Sequence, residues 1–527
     1  MLQRGRVDRR KLSADYTAFL TPLADMLLSS PVSDSIMRAH CLRRAFALGL
    51  LLHSVAACSR AVHGGRVDAD VGARIARIEQ GLLPSMRVQG RAYASASVEQ
   101  SMRAHGVPAV SVAVINNGRI EWARAYGYAD VESGKAATTA TLFQAASISK
   151  PVTAVGALRL VEQGRLSLDE DVNVKLRAWK VPVNELTSRQ PVTLRLLLTH
   201  SSGLTVHGFP GYASDVAVPT VVQLLDGEKP ANTAAVRADI EPGSRWRYSG
   251  GGTTVMQLLM TDVTGESFPW LMRRLALDPI GMKASTYEQP LPASRAAEAA
   301  TGYRSATKAV AGRYHTYPEM AAAGLWTTPS DLARLVIEIQ RSFRGESNKV
   351  LTRAMTVAML MRGVGSHGLG PGIDGSGDSL RFSHGGANEG FRATFTGFAT
   401  RGQGAVVMTN SDAGGAVAAE IIQAIAREYG WPGFAQRVIA PVEMTPETMR
   451  EYVGTYLLTG TQIQLSIAVE DGRLMATQTG GSPFELVATG TDVLTPLVDA
   501  PPFRFERDSA GRVTTLVVGT ARLTRTA

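Results

Sequence analysis

Cysteine is nearly missing from this chain: of its 527 residues only Cys41 and Cys58 are cysteines, both in the N-terminal segment. Whatever follows Cys58 can hold no disulfide and no thiolate metal site. Charged residues are 19% and aromatics 6% of the chain. No basic run interleaves with aromatics, so no nucleic-acid partner is expected. The formal charge of +9 is carried in part by residues 1–57 and is thin beyond them. No apolar stretch after Cys58 is long enough to span a bilayer, and no solenoid period is present. The 52 glycines and 25 prolines are scattered, which excludes collagen-like and low-complexity chains. What remains is an ordinary apolar content of 45%, over a length that allows two or three domains, one with a large core.

The N-terminus reads as an address. Residues 1–36 have no consistent periodicity. From Met37 a basic segment leads into the apolar run Ala45–Leu52 and the small residues before Cys58, the pattern of a secretory signal. Val55-Ala56-Ala57-Cys58 resembles the bacterial lipobox, which would make Cys58 the lipidated residue, and Arg43-Arg44-Ala45-Phe46 resembles a twin-arginine signal. The expectation is an exported, periplasmic, membrane-anchored lipoprotein whose translation starts at Met37. Residues 1–58 are then extension and signal, 59–435 the main domain, and 442–527 a small β-domain.

Within the main domain, Ser147 and Lys150 stand three residues apart, and Val155, Leu158 and Val161 carry a helical period on to Gly164. Residues three apart share one helix face. Hydroxyl and amine therefore come within mutual reach, and first-turn N–H groups can help hold an oxyanion. Pro151 is tolerable where a helix needs no donor. A lone Ser-x-x-Lys is a common coincidence. Ser305 and Lys308 form a second copy with no apolar helical face, and it reads as loop.

The rest of the domain supplies a frame. Pro108–Ile115 and Ile120–Gly127, joined by Asn116-Asn117-Gly118, predict a β-hairpin, after a helix over Ser97–His105. His200, in Leu-Leu-Thr-His-Ser-Ser-Gly-Leu, reads as a structural residue at a helix end. Tyr248-Ser249-Gly250 opens a helix through Val255, Leu258 and Val263, placed so that the phenol could enter a cleft. Ser330 is the expected N-cap of a helix over Leu332–Ile339. His384-Gly385-Gly386-Ala387-Asn388 precedes two strands, its glycines permitting close approach of a substrate backbone. After Pro441, alternating apolar runs and tight turns such as Asp471-Gly472 predict a small antiparallel barrel or sandwich.

Three motifs in this order, Ser147-x-x-Lys150, Tyr248-Ser249-Gly250 and His384-Gly385-Gly386, with Pro-Gly-Ser-Arg-Trp-Arg-Tyr-Ser and Gly-Leu-Trp-Thr-Thr-Pro-Ser-Asp-Leu between them, resemble the serine β-lactamase and penicillin-binding protein superfamily. The likeness covers roughly residues 90–430 and is greatest to the class C-related group with its esterases and D-amino-acid peptidases. The resemblance implies an α/β (α+β) fold: an antiparallel sheet flanked by helices, a helical subdomain, and an appended C-terminal all-β barrel. It implies Ser147 as acylated nucleophile, Lys150 as proton acceptor or relay, Tyr248 as general base, and His384 as a residue orienting substrate or tuning Tyr248. The N–H groups of Ser147 and Ala387 would form the oxyanion hole, with Gly385, Gly386 and Asn388 at the substrate. No metal or cofactor is called for. Lysine and tyrosine ordinarily titrate near pH 10, so either serves as base only where proximity and burial alter it.

Two departures bear on substrate. Gly250 stands where lactam-hydrolysing relatives have the asparagine of Tyr-x-Asn, and His384-Gly385 stands for Lys-Thr, removing a permanent cation. Both favour a hydrolase of short esters or small amides. The alternatives are a β-lactamase or D-alanyl-D-alanine carboxypeptidase acting on a peptidoglycan-like substrate and, in another class, a cell-wall sensor that is acylated without turnover. Membrane contact is expected only through the lipid anchor.

Overall fold

The computed structural model describes residues 70–458, 464–478, 483–498, 500–519 and 521–526. The signal peptide, the Met37 start and the lipidated Cys58 expected above lie outside these residues. Among those described, no helix is long and apolar enough to cross a membrane.

The centre is a seven-stranded sheet built from β1 (Ala109–Asn116), β2 (Arg119–Asp130), β3 (Lys135–Ala136), β4 (Gly372–Asp374), β5 (Arg381–Asn388), β6 (Phe391–Phe398) and β7 (Gly404–Thr409), in the order β3-β2-β1-β7-β6-β5-β4. Every pairing is antiparallel. The β1–β2 turn is as the sequence predicts. Asn117 and Gly118 both take positive φ, 53° and 68°, which matches the right-handed twist of the flanking strands.

Five helices position the rest: α1 (Val98–His105), α2 (Ser149–Glu162), α3 (Gly250–Thr264), α4 (Pro329–Phe343) and α5 (Gly414–Glu428). Side chains alternate across a strand, and β1 uses both faces. Val110, Val112 and Val114 join Ile75, Ile78, Val417, Ile421 and Ile425 in one core. Ala113 and Ile115 join Leu332, Val336 and Ile339 of α4 in the other. Each fully buried aliphatic side chain contributes roughly 1.5–3 kcal/mol. A sheet covered on both sides explains why Ala109–Ile115 is apolar at every position except Ser111. The second core continues into the helical region through Leu194, Leu197, Val255, Leu258 and Leu259.

Two local expectations need correction. Thr328, not Ser330, caps α4, its side chain accepting the Asp331 N–H at 3.2 Å. Pro329 occupies the first helical position, where its fixed φ suits and no donor is lost, so the cap falls one residue earlier. The second Ser-x-x-Lys is not an open loop but a short hairpin, Tyr303–Ser305 against Lys308–Ala309, with Ser305 and Lys308 exposed.

Toward the C-terminus, eight strands close into an antiparallel barrel: β8 (Gly454–Leu458), β9 (Gln464–Glu470), β10 (Arg473–Gln478), β11 (Phe484–Gly490), β12 (Val493–Pro496), β13 (Phe503–Arg507), β14 (Val513–Val518) and β15 (Ala521–Arg525). Closure comes from β8, which pairs with both β9 and β15. Leu465, Ile467, Leu474, Leu494, Phe503, Phe505 and Leu516 fill the interior.

Candidate active site

Ser147 sits in a single 3-10 turn, Ala146–Ile148, just ahead of α2, and Lys150 lies in the first turn of that helix. The turn is held from below. Ser149 is buried, donates its hydroxyl to the Ala146 carbonyl at 2.6 Å and accepts the Leu325 N–H at 3.0 Å. Ala146 takes a positive φ of 49°, a strained conformation for alanine that such packing sustains. With the turn fixed, Lys150 Nζ lies 3.1 Å from Ser147 Oγ and donates to the Ala322 carbonyl at 2.9 Å. The same nitrogen is 4.9 Å from the centroid of the Tyr248 ring.

Tyr248 is presented by the cap of α3. Ser249 Oγ accepts the Gly252 N–H at 2.8 Å and donates to the Thr205 carbonyl at 2.9 Å. Gly250 packs against the neighbouring loop: a Cβ there would lie 2.8 Å from the Phe209 ring and 3.0 Å from the His207 carbonyl oxygen. The missing asparagine is thus matched by missing room.

The third motif lies on β5. Only Arg381–Ser383 pair with β4, so His384–Asn388 keep one strand edge free of β4. This edge presses on the nucleophile turn: a Cβ at Gly386 would sit 2.2 Å from the Ala145 carbonyl oxygen. Ser147, His207, Trp246, Tyr248, His367 and His384, with Gly385, Gly386 and Ala387, line one open cavity of about 980 Å³. Asn388 does not line it. Its amide is spent on the Gln144 side chain at 2.9 Å and the Ala323 carbonyl at 3.1 Å, so this buried residue ties β5 to the strand before the nucleophile instead of facing substrate.

Four histidines surround Tyr248. The rings of His200 and His207 lie 4.3 and 4.9 Å from its ring, and those of His384 and His367 lie at 6.1 and 6.4 Å. Burial, then the positive charge of Lys150, lowers the His384 pKa to about 3 and that of His367 to about 4. Burial chiefly lowers His200 and His207 as well. All four are neutral imidazoles at pH 7, so His384 supplies no cation. His384 Nδ1 meets the Gly385 carbonyl at 2.6 Å; a carbonyl only accepts, so the ring proton is on Nδ1 and Nε2 carries a lone pair. Arg381 and Arg392, also at the cavity, are engaged by Asp374 and Asp412.

Sequence reasoning did not single out His207, Trp246 or His367, which come from irregular segments without periodicity. His200 is packed directly on Tyr248, closer to the chemistry than its place at a helix end suggested. Hydroxyl, amine, phenol, neutral imidazole and a strand edge not paired with β4 are together chemically able to support acyl transfer.

Behind the site lies a buried carboxyl. Glu319 precedes the short helix Met320–Ala323 that offers its Ala322 carbonyl to Lys150. Among the described residues neither of its carboxyl oxygens meets a donor from another residue, and burial raises its pKa to about 8. The folded chain holds this proton up to about pH 8, whereas an unfolded carboxyl releases it near 4.5. Stability from this residue is full below pH 4.5 and is lost as pH rises toward 8. Glu319→Gln removes the titration. Between pH 5 and pH 9, chemical denaturation should show the balance between the two proteins shifting toward the Gln variant by on the order of 4 kcal/mol. Parallel pH profiles would contradict this.

A family model described as Beta-lactamase matches residues 94–429. Esterase EstB of Burkholderia gladioli is 30% identical over 191 residues, 35% of this chain and 48% of its own length. Protein flp of Staphylococcus aureus (strain N315) is 26% identical over 238 residues, 44% of either chain. The chain thus spans about half the length of these curated relatives. The octameric penicillin-binding protein homologue from Pyrococcus abyssi aligns with a TM-score of 0.56 at 21% identity, covering 81% of this chain and 98% of that one, a likeness of fold.

Proposed function

The chain belongs to the beta-lactamase family, and from that premise we propose that it is a serine hydrolase working through an acyl-enzyme on short esters or small amides. The observation that carries this reading is the 3.1 Å contact between Lys150 and Ser147 beneath the Tyr248 ring, at the wall of an open cavity. Ser147 Oγ attacks the carbonyl carbon and passes its proton to Lys150, which accepts it in the uncharged amine form. The N–H groups of Ser147 and Ala387 hold the resulting oxyanion, each such donor being worth on the order of 100-fold. Tyr248 protonates the leaving alkoxide and then takes a proton from the water that releases the acyl group, while Lys150 returns its proton to Ser147 as the acyl–oxygen bond breaks. His384, neutral and anchored on Gly385, orients the phenol and the substrate.

The ester preference rests on two absences with physical content and on one relative. Gly250 offers no amide for the acylamino group of a penicillin and has no space for one. His384 is uncharged and gives a lactam carboxylate no partner. Esterase EstB, the relative at 30% identity, is named for the same activity. Export through residues 37–57 with lipidation at Cys58 remains our proposal for where the enzyme works, in the periplasm on small-molecule substrates.

The test is a substrate panel. The kcat/KM for p-nitrophenyl acetate and butyrate should exceed that for nitrocefin by at least about 10-fold, more than 1.4 kcal/mol of transition-state preference. Gly250→Asn should not raise nitrocefin turnover and should lower stability by roughly 1–3 kcal/mol through overpacking. Fast nitrocefin turnover by the wild type would instead identify a β-lactamase, and an adduct that persists in intact-mass spectra would identify a sensor.

A further inference from the structure

Three imidazoles converge beside Tyr248 in a way that ester hydrolysis does not require. One ring nitrogen from each of His200, His367 and His384 lies within 4.8 Å of the other two. They come from three distant segments: the turn after the helix Leu194–Leu198, the glycine-rich loop before β4, and β5. The rings face one another nearly edge-on, His367 with His200 at 5.2 Å and with His384 at 6.0 Å.

The individual rings are prepared unequally. His384 Nδ1 donates to the Gly385 carbonyl, leaving Nε2 as a buried lone pair with no hydrogen-bond partner among the described residues, in a residue only 8% exposed. A ring N–H anchored on a backbone carbonyl with the opposite nitrogen free is how metal-bound histidines are oriented. Without an occupant, that buried acceptor is an uncompensated loss. Among the described residues the His367 ring makes one hydrogen bond, a long 3.3 Å contact to Ser366 Oγ, so either of its nitrogens can be offered. His200 Nδ1 accepts the Ser249 N–H at 3.3 Å. Ligation by His200 therefore sacrifices that long bond or displaces the proton on its other nitrogen.

We propose that His200, His367 and His384 form a binding site for a borderline divalent transition-metal cation, Zn²⁺ being the type, with the remaining coordination position open to the cavity that Ser147 lines. Three neutral nitrogen donors without a carboxylate select Zn²⁺, Co²⁺, Ni²⁺ or Cu²⁺ over Mg²⁺ or Ca²⁺. Metal–nitrogen bonds of about 2.0–2.1 Å in a tetrahedron need the nitrogens roughly 3.4 Å apart, so each ring moves inward by about an ångström on filling. A bound cation takes the Nε2 lone pair of His384 and sets a positive charge against Lys150. Occupancy therefore stops ester turnover and chelation restores it. That consequence rests on the hydrolase reading; the binding itself does not.

The experiment uses the full chain, stripped with EDTA and desalted, titrated with Zn²⁺ in the calorimeter and with Co²⁺ in the spectrophotometer. One equivalent should bind, with visible d–d absorption of tetrahedral intensity for Co²⁺. Trp246, whose ring stacks on His367 at 5.4 Å, should lose fluorescence as Co²⁺ binds, and Trp246→Phe should lose that quench while still binding. His367→Ala and His384→Gln should each weaken binding by at least about 10-fold. Should a variant misfold by circular dichroism, the wild type decides: Zn²⁺ must shift the side-chain nitrogen resonances of these three histidines. No binding of Zn²⁺ up to about 1 mM, the weakest affinity worth the name of a site, or unchanged binding in both variants, overturns the site even if ester turnover is intact. Metal bound by a protein that turns over no ester when metal-free leaves the site standing and removes the hydrolase reading.

Discussion

Replacing Ser147 with Ala is expected to lower kcat for p-nitrophenyl acetate by at least about 10⁴-fold, with the variant folded and still able to bind substrate. Losing a nucleophile that works as part of a coupled group removes nearly the whole chemical gain, and what remains is positioning and oxyanion binding. The substitution deletes one oxygen from a partly exposed residue, and the turn around it is secured by Ser149 and Leu325. The thermal midpoint should therefore move by a few degrees at most, roughly the effect of 1 kcal/mol in a chain of this size. Intact-mass spectra should show a fluorophosphonate adduct on the wild type and none on the variant. Ester turnover within about 10-fold of wild type would place the nucleophile elsewhere and leave the Ser147–Lys150 contact as packing.

The parts of this molecule legible in its sequence are those that local chemistry decides. Asn117-Gly118 can take positive φ cheaply, so the first hairpin could be placed from its turn. Ser147 and Lys150 are one helical turn apart, so their meeting follows from helix geometry alone. Asp471-Gly472 marks a barrel hairpin for the same reason as the first. Long-range closure was not legible. β1 lies beside β7, almost three hundred residues later, because each needs a partner for its second edge, and nothing in either strand names the other. β8 and β12 of the barrel are short, and each is paired on both edges, by β9 and β15 and by β11 and β13. The same limit hid part of the site. His367 lies in Ser-His-Gly-Leu-Gly, an irregular loop with no period to betray its direction, and reaches Tyr248 only through tertiary packing. Asn388 erred the other way: beside a glycine-rich strand edge it looked like a substrate ligand, and folding uses its amide to tie the strand down.

Lys150→Met should lower kcat for esters by on the order of 10³-fold, the range typical of a lost general acid–base group, while KM changes little. Methionine has nearly the length of lysine and fits the same buried path, so the substitution tests the amine more than the volume. The Ala322 carbonyl loses its 2.9 Å donor, and a buried acceptor left alone costs about 1–3 kcal/mol, which the denaturation midpoint should register. Two further readouts separate chemistry from damage. Fluorophosphonate labelling of Ser147 should slow in proportion to kcat, because removal of the serine proton is the shared step. The neighbouring histidines should respond as well. Burial is the larger cause of their low pKa values and Lys150 a further one, so with the charge gone His384 and His367 should titrate at higher pH than about 3 and about 4, yet still below 6.5. Proton NMR of the imidazole carbons reads this directly. If turnover falls while both histidines titrate unchanged, Lys150 does not act on this cavity as a charge, and Tyr248 must accept the serine proton without it.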